Sequence, residues 1–385
     1  MPEAVIVDAI RTPIGRAFKG SLKDVRADEL AAIPLRALQA RNPEVDFGHT
    51  QDVMMGAASS FGEQAYNVAR NATLLSGIDH HVPATTVNRF CASSLQTLRM
   101  AFHAVKAGEG DQYIAAGVEC VSRTGLGAGM ADEFKHPKLA GGEGSLYDVY
   151  IPMGMTAENV AERCGVSREA QDEWAALSQQ RAVEARDSGH FDAEIVAVDT
   201  PDGEVARDDG PRPGTTVEVL AGLKPAFKED GTVTAGNSCP LNDGAAAVLV
   251  MSEERAKELG LEPKARIIAS AVSAIRPEIM GLGPIPAIQA VLKQAGMTID
   301  DIDVVEINEA FAAQIVPCRE ELGIDPDKLN PFGGAIALGH PFGMTGARIM
   351  TTLLNGLRAR GGTIGIESMC VAGGMGQAMI VERLA

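Results

Sequence analysis

Val87-Asn88-Arg89-Phe90-Cys91-Ala92-Ser93-Ser94-Leu95-Gln96 joins two kinds of periodicity. Thr85-Thr86-Val87, which leads into it, is β-branched throughout and reads as a strand. Downstream, Leu95, Leu98, Phe102 and Val105 recur at helical spacing, the apolar stripe of a packed helix. Cys91 is therefore predicted at a strand-to-helix turn. There, free backbone N–H groups and the positive end of the helix dipole favour a thiolate. Ala92, Ser93 and Ser94 are small enough to let a carbonyl approach the sulfur. A buried structural cysteine fits the same stretch, since free cysteine is commonly buried.

Working outward, short apolar runs alternate with helical ones. Strands are predicted over residues 5–9, 52–57, 85–88 and 112–118, and helices over 27–39 and 66–76. This alternation implies a mixed or largely parallel sheet with helices on both faces. From 121 to 241 the texture changes to glycine, proline and charge, around a helical stretch at 156–188 that holds the only tryptophan, Trp174. Ser167 is a natural N-cap there. Residues 125–129 are glycine-rich but lack GxGxxG spacing, so a flexible loop is expected rather than a dinucleotide site. The rhythm returns at 244–251, with helices over 287–294 and 346–358 and strands over 304–307, 364–368 and 378–381, the last two flanking Cys370. The organisation read from this is two similar halves, 1–120 (continued by 242–262) and 263–385, with 121–241 inserted as a loop or lid domain.

Bulk properties bound the function. The 385 residues are 45% hydrophobic and 22% charged, ordinary for a globular protein. A net charge of −17 argues against nucleic-acid or anionic-membrane binding, but leaves room for an anionic small ligand held by local arginines. No apolar run is long enough to span a membrane, and the first apolar run is too short for a secretory signal. A cytoplasmic location is expected. Cys91, Cys120, Cys164, Cys239, Cys318 and Cys370 are scattered, with no CxxC and no HExxH, so reduced thiols and no metal site are expected.

Three segments, each weak alone, complete a chemical set with Cys91. Asn308 and Glu309 end a buried strand, where polar groups must be hydrogen-bonded or at work; strand capping is the plain alternative. His340 sits among glycines and small residues, which allows close approach to a ligand. Cys370 precedes Ala372-Gly373-Gly374, a turn able to present N–H groups to an oxyanion. Two cysteines, a histidine and an asparagine suit carbon–carbon chemistry on thioesters. One thiolate is acylated, the histidine keeps it ionised, and the second thiol moves a proton.

The chain resembles the thiolase family over essentially its whole length, and within it the degradative 3-ketoacyl-CoA thiolases (acetyl-CoA C-acyltransferases). The motifs are VNRFCASSLQ (87–96), IPMGMTAENVAER (151–163), GTVTAGNSCPLNDGAAA (231–247), EINEAFAAQ (306–314), NPFGGAIALGHPFGMTGAR (330–348) and MCVAGGMG (369–376). The resemblance implies a five-layered α-β-α-β-α fold of two similar halves with an inserted loop domain. It implies Cys91 as nucleophile, His340 as its activator, Cys370 as acid/base, and Asn308 holding a water that forms one oxyanion hole with His340. The amides of Cys91 and Ala372 would form the other. Arg212, Ala235, Met153, Met280, Ala310 and Phe311 would contact coenzyme A, a co-substrate, with no tightly bound cofactor.

The implied reaction is thiolysis of 3-oxoacyl-CoA in fatty acid β-oxidation. Acetoacetyl-CoA condensation, or a non-catalytic acyl-CoA-binding relative, are the alternatives. A homodimer or homotetramer is implied, and a hydratase/dehydrogenase partner is open. Several positions depart from the family pattern. Ser94 and Ala372 stand where glycine is common, and alanine is expected to alter the turn because it resists positive φ. Cys239 replaces a serine, so its pantetheine contact is not carried over. Pro152 replaces a histidine of the biosynthetic branch. Phe332 and Phe342 are bulky and are expected to reshape the acyl pocket.

Overall fold

The computed structural model describes residues 1–125 and 132–385. Residues 126–129 of the glycine-rich loop expectation lie outside the described residues. The chain runs β1 (Ala4–Arg11), α1 (Ala27–Arg41), β2 (Asp52–Gly56), α2 (Val68–Leu75), β3 (Ala84–Val87), α3 (Ser93–Ala107) and β4 (Gln112–Cys120). Two helices follow, α4 (Met153–Cys164) and α5 (Arg168–Asp187), before β5 (Asn242–Ser252) returns to the sheet. Then come β6 (Ala265–Ala274), α6 (Pro284–Ala295), β7 (Val304–Ile307), α7 (Ala312–Leu322), α8 (Thr345–Arg360), β8 (Ile364–Val371) and β9 (Met375–Arg383).

Strand pairing exposes an internal repeat. In the first half β2 runs parallel to β3 and β4, while β4–β5 and β5–β1 are antiparallel. In the second, β7–β8 is parallel, and β8–β9 and β9–β6 are antiparallel. The counterpart of β3 shrinks to one parallel bridge, Val305 to Leu329. The two halves meet through β1 and β6 at only two register pairs, Val5 with Arg266 and Ile6 with Ala265. Equivalent connections therefore end side by side: β3 leads to Cys91 and α3, and Leu329 leads through the His340 loop to α8.

Three apolar clusters fill the spaces between layers. Leu30 and Leu35 of α1 pack on Val53, Ile114 and Leu249 on one outer face. Leu95 and Leu98 of α3 meet Leu353 and Leu357 of α8 between the halves. Ile288 of α6 and Ile315 of α7 cover Val305, Ile366 and Ile380 on the other outer face. Helix, sheet, helix, sheet, helix is the five-layered arrangement. Leu95, Leu98 and Val105 are fully buried and Phe102 nearly so, each contributing about 1.5–3 kcal/mol by burial. Gly108 closes α3 at φ 75° with its N–H on Ala104 and Val105.

Some elements differ from expectation. The helical stretch at 156–188 is two helices, broken at Gly165 (φ 67°), with Ser167 capping the second through the Ala170 N–H at 3.1 Å. Cys370 lies inside β8 rather than between strands, opposite Gly376 of β9. Strand β6 and helix α7 were not foreseen. No helix among the described residues is long and apolar enough to cross a membrane.

Candidate active site

The chain leaves β3 and turns sharply before α3. Phe90 sits at φ 47°, a left-handed conformation rare for a bulky residue. The Phe90 N–H donates to Asn88 Oδ1 at 2.8 Å, and Ser93 Oγ donates to the Phe90 carbonyl at 2.6 Å while accepting the Arg89 N–H at 3.0 Å. Cys91 is held in the one-turn helix between them, half-buried. Burial pushes its thiol up to about 12, against the pull of the Ala372 N–H and its own N–H. This corrects the thiolate expectation: the helix end is outweighed by desolvation, and the resting sulfur carries its proton. The two N–H groups that flank the sulfur are the pair named from sequence.

Ala372 opens the turn from β8 to β9. The left-handed angles fall on Gly373 (φ 80°) and Gly374 (φ 81°), not on Ala372, so the expected disturbance of the turn does not arise. A Cβ at Gly374 would lie 2.3 Å from the Ile275 carbonyl, so only glycine fits. Cys370, two residues earlier, is fully buried. Burial, with Cys91, Cys318 and Cys239 nearby, pushes its thiol well above the ordinary range.

His340 is fixed from three sides. Its N–H donates to Asn242 Oδ1 at 2.9 Å, Nδ1 lies 2.7 Å from Thr345 Oγ1, and Nε2 lies 3.3 Å from Asn308 Nδ2. Thr345 Oγ1 donates to the Pro341 carbonyl at 2.8 Å, so it accepts from Nδ1–H and leaves Nε2 with its lone pair. Burial, then the Arg348 charge, pushes the imidazole down to about 3. The ring is neutral. Asn308 extends the β7–β8 ladder through its N–H to the Ser368 carbonyl at 2.9 Å, and its buried Oδ1 has no hydrogen-bond partner. Phe342 stands edge-on to the His340 ring, centroids 4.9 Å apart. Phe332 instead stacks on His190 at 3.7 Å and abuts Gly356, so its bulk fills the central layer rather than an acyl pocket.

Two carboxylates hold this arrangement: Glu119, which sequence reasoning missed, and Glu309, which it named beside Asn308. Glu119 accepts from the N–H groups of Ala58, Ser59 and Gly343 at 2.9, 3.1 and 2.8 Å, and from Gln64 Nε2 at 2.8 Å. Glu309 accepts from Trp174 Nε1 (3.0 Å), Ser178 Oγ (2.6 Å), Asn330 Nδ2 (2.8 Å) and the Ile336 N–H (3.2 Å). Of the Asn308-Glu309 pair, Asn308 faces His340 and Glu309 ties α5 to the glycine loop.

A cavity of about 700 Å³ opens beside Cys239. Arg212 and Ala235 line it, as does Cys239. Met153, Met280, Ala310 and Phe311 do not; they belong to the apolar cluster behind, where Phe311 meets the cavity-lining Phe227 edge-on at 6.1 Å. Arg16 and Lys19, from the first half, join Arg212 on the wall, and among the described residues no carboxylate lines it. In a chain of net charge −17 that is a local inversion of sign. Among the described residues, one exposed group, Asp79, His80 and His81, brings three possible metal ligands together. It shares no residue with this site.

The family model described as "Thiolase, N-terminal domain" matches residues 4–254, and "Thiolase, C-terminal domain" matches 261–383. A beta-ketoadipyl-CoA thiolase of Acinetobacter baylyi is 48% identical over 407 residues, covering 100% of both chains. A 3-ketoacyl-CoA thiolase of Aeromonas hydrophila is 47% identical over 393 residues, again covering 100% of both. A Bacillus anthracis acetyl-CoA acetyltransferase of known crystal structure superposes with a TM-score of 0.91 at 40% identity, covering 100% of this chain and 99% of that one.

Proposed function

Because the chain belongs to the thiolase family, we propose that it cleaves 3-oxoacyl-CoA with a second coenzyme A, releasing acetyl-CoA and a shortened acyl-CoA. The observations that support this reading are a neutral His340 imidazole whose Nε2 keeps its lone pair toward Asn308, and two neighbouring thiols with two N–H groups converging on Cys91. In the first half-reaction the Cys91 proton passes to His340 Nε2 and the sulfur attacks the C3 carbonyl. The oxyanion rests on the N–H groups of Cys91 and Ala372. Collapse breaks the C2–C3 bond, and the electron pair becomes the acetyl-CoA enolate, whose oxygen is held by His340 and a water on Asn308. The Cys370 thiol protonates C2. In the second half, the Cys370 thiolate takes the proton of incoming CoA, whose sulfur attacks acyl-Cys91. The departing Cys91 recovers its proton from His340.

Coenzyme A is a co-substrate in this reading, seated in the cavity with its phosphates against Arg212, Arg16 and Lys19. Segment 121–241, which supplies Arg212 and Ala235, acts as the lid between the halves 1–120 with 242–262 and 263–385. The edge strand β3 is half-buried, and Gln96 Oε1 and Arg99 Nε on the adjoining α3 are buried without partners. A second copy seated there would complete a homodimer or, doubled, a homotetramer. The six free cysteines suit a reducing cytoplasm.

Thiolysis rates across a chain-length series of 3-oxoacyl-CoA, with 3-oxoadipyl-CoA included, test the reading and name the substrate. Wild-type cleavage that is abolished in Cys91→Ala and severely reduced in Cys370→Ala is expected. Binding without turnover at every length would leave only an acyl-CoA-binding protein. Condensation of two acetyl-CoA uses the same groups in reverse and is scored in the same assay run backwards.

A further inference from the structure

Two glutamates stand side by side in the central layer. Glu306 of β7 is the register partner of Glu367 of β8, and adjacent strands lie only about 4.8 Å apart. Val304, Met369 and Val371 belong to the central apolar cluster, so by strand alternation both carboxylates point the same way, toward α8. Facing them is Arg348 of α8, and β9 adds Gln377. Each of the four is no more than 1% exposed. Nevertheless Nε and Nη1 of Arg348, Oε1 of Glu306, both carboxylate oxygens of Glu367 and both side-chain polar atoms of Gln377 have no hydrogen-bond partner. Arg11 is buried equally deep but fully engaged, with Glu194 at 2.8 Å and Asp208 at 2.7 and 3.0 Å. The Arg348 group is thus left under-satisfied at a depth where Arg11 is fully paired.

We propose that Glu306, Glu367 and Arg348 form a charge-setting unit for His340, in which the two carboxylates share one proton and Glu306 is the member that exchanges it. The inference rests on the thiolase reading above. Two short routes, each along the chain and then through one hydrogen bond, connect the unit to the imidazole. Glu306 lies two residues before Asn308, whose Nδ2 meets His340 Nε2, and Arg348 lies one helical turn after Thr345, whose hydroxyl meets Nδ1. With one proton on the pair, the carboxylates and Arg348 sum to zero. With two, the sum is +1, and His340 must become a cation beside a cation when it takes the Cys91 proton. Like charges at this depth cannot both persist cheaply.

The surroundings bear on which carboxyl titrates. Burial pushes Glu306 up to about 8, with Glu309 and Glu194 adding to the rise and Arg348 and Arg181 opposing it. Burial, with Glu306 adding, pushes Glu367 well above the ordinary range against the pull of Arg348. Both carboxyls are thus pushed toward the neutral form, and the pair's first ionisation is the step the proposal assigns to Glu306. Arg11 and Asp208 complete the charged groups around Arg348. The acylation half-reaction accordingly speeds up as pH rises through about 8.

The test is single-turnover release of acetyl-CoA from 3-oxoacyl-CoA with no free CoA added, because the CoA thiol itself titrates near pH 8.5 and would blur the profile. Wild type is expected to show a rising limb at about 8. Glu306→Gln should be slower by on the order of tenfold above that limb and flat across it, with unchanged KM. Glu367→Gln should keep the limb, its proton being permanent already. A Glu306→Gln profile that keeps the wild-type limb overturns the proposal. Infrared difference titration of wild type needs no folded variant: a buried carboxyl that ionises near 8 supports it, and none in that range overturns it. Should wild type release no acetyl-CoA at any pH, the thiolase reading fails, and the infrared titration still decides whether the pair shares a proton.

Discussion

Thr345 Oγ1 lies 2.7 Å from His340 Nδ1 and 2.8 Å from the Pro341 carbonyl. The hydroxyl spends its one proton on the carbonyl, so the ring must supply the proton between them. That contact fixes the tautomer and leaves Nε2 with its lone pair, the base of the proposed mechanism. Thr345→Val keeps the shape but removes the acceptor, so the imidazole is free to turn or change tautomer. We expect kcat to fall by on the order of 10²-fold with little change in KM, and Thr345→Ser to recover most of it. An unaltered Thr345→Val enzyme would show that the tautomer is set elsewhere.

Arg16 and Lys19 line the same cavity as Arg212, yet they come from the first half of the chain. If the three hold the phosphates of coenzyme A, neutralising Arg16 and Lys19 together raises KM for CoA by about tenfold and weakens its salt dependence. Thioesters of N-acetylcysteamine carry no phosphate and should be cleaved by the double variant as by wild type. Equal losses on both substrates would point to a folding defect instead.

Local pattern made some of this visible and not the rest. The α3 stripe and the apolar run of β5 were readable because burial on one face, or on both, writes itself into neighbouring residues. Strand β6 was not, since its alanines and serines alternate too weakly to signal a strand. Helix α7 contains Pro317 and begins three residues after Glu309, which with Asn308 reads as a strand end. Cys370 was placed beside a strand rather than within one because the pairing to Gly376 depends on the glycine turn between them. The four candidate catalytic residues were named from motifs, but Thr345, Asn242 and Glu119 act through contacts that spacing does not encode. The thiolate expectation failed on magnitude: a helix end contributes about 0.3–1 kcal/mol, less than the desolvation of a sulfur held among other thiols.

Asp8 offers a pH test of stability. It accepts from Lys264 Nζ at 2.6 Å, Arg41 Nε at 2.8 Å and Asn42 Nδ2 at 3.1 Å, pinning α1 and the approach to β6 onto β1. Burial works to raise its pKa, but Lys264 and Arg41 outweigh burial and hold it below the ordinary carboxylate value. A depressed acid stabilises the fold above its unfolded pKa of about 3.9 and loses that contribution as pH falls through the folded value. Asp8→Asn should cost about 2–3 kcal/mol at neutral pH, discounted because both cations are partly exposed. The gap in Tm between variant and wild type should narrow in acid. A gap constant with pH would mean the carboxylate charge contributes nothing.

Glu119 is a carboxylate on which both halves close. Its four donors come from the loop after β2, from Gln64 and from Gly343 in the His340 loop. A Cβ at Gly343 would lie 2.8 Å from Ala57 Cα, so the two loops are in backbone contact and cannot admit a substitute bridge. Glu119→Gln preserves volume but turns one acceptor into a donor that faces other donors, which should cost about 3 kcal/mol. Because Gly343 sits three residues from His340, the loss should reach the chemistry as well. We expect kcat to drop by about tenfold or more while KM for CoA, whose cavity Glu119 does not line, stays within about twofold. Denaturant midpoints and steady-state kinetics on the same preparation decide it. A destabilised variant with wild-type kcat would confine Glu119 to the fold, and a stable variant with low kcat would place its whole effect on the His340 loop.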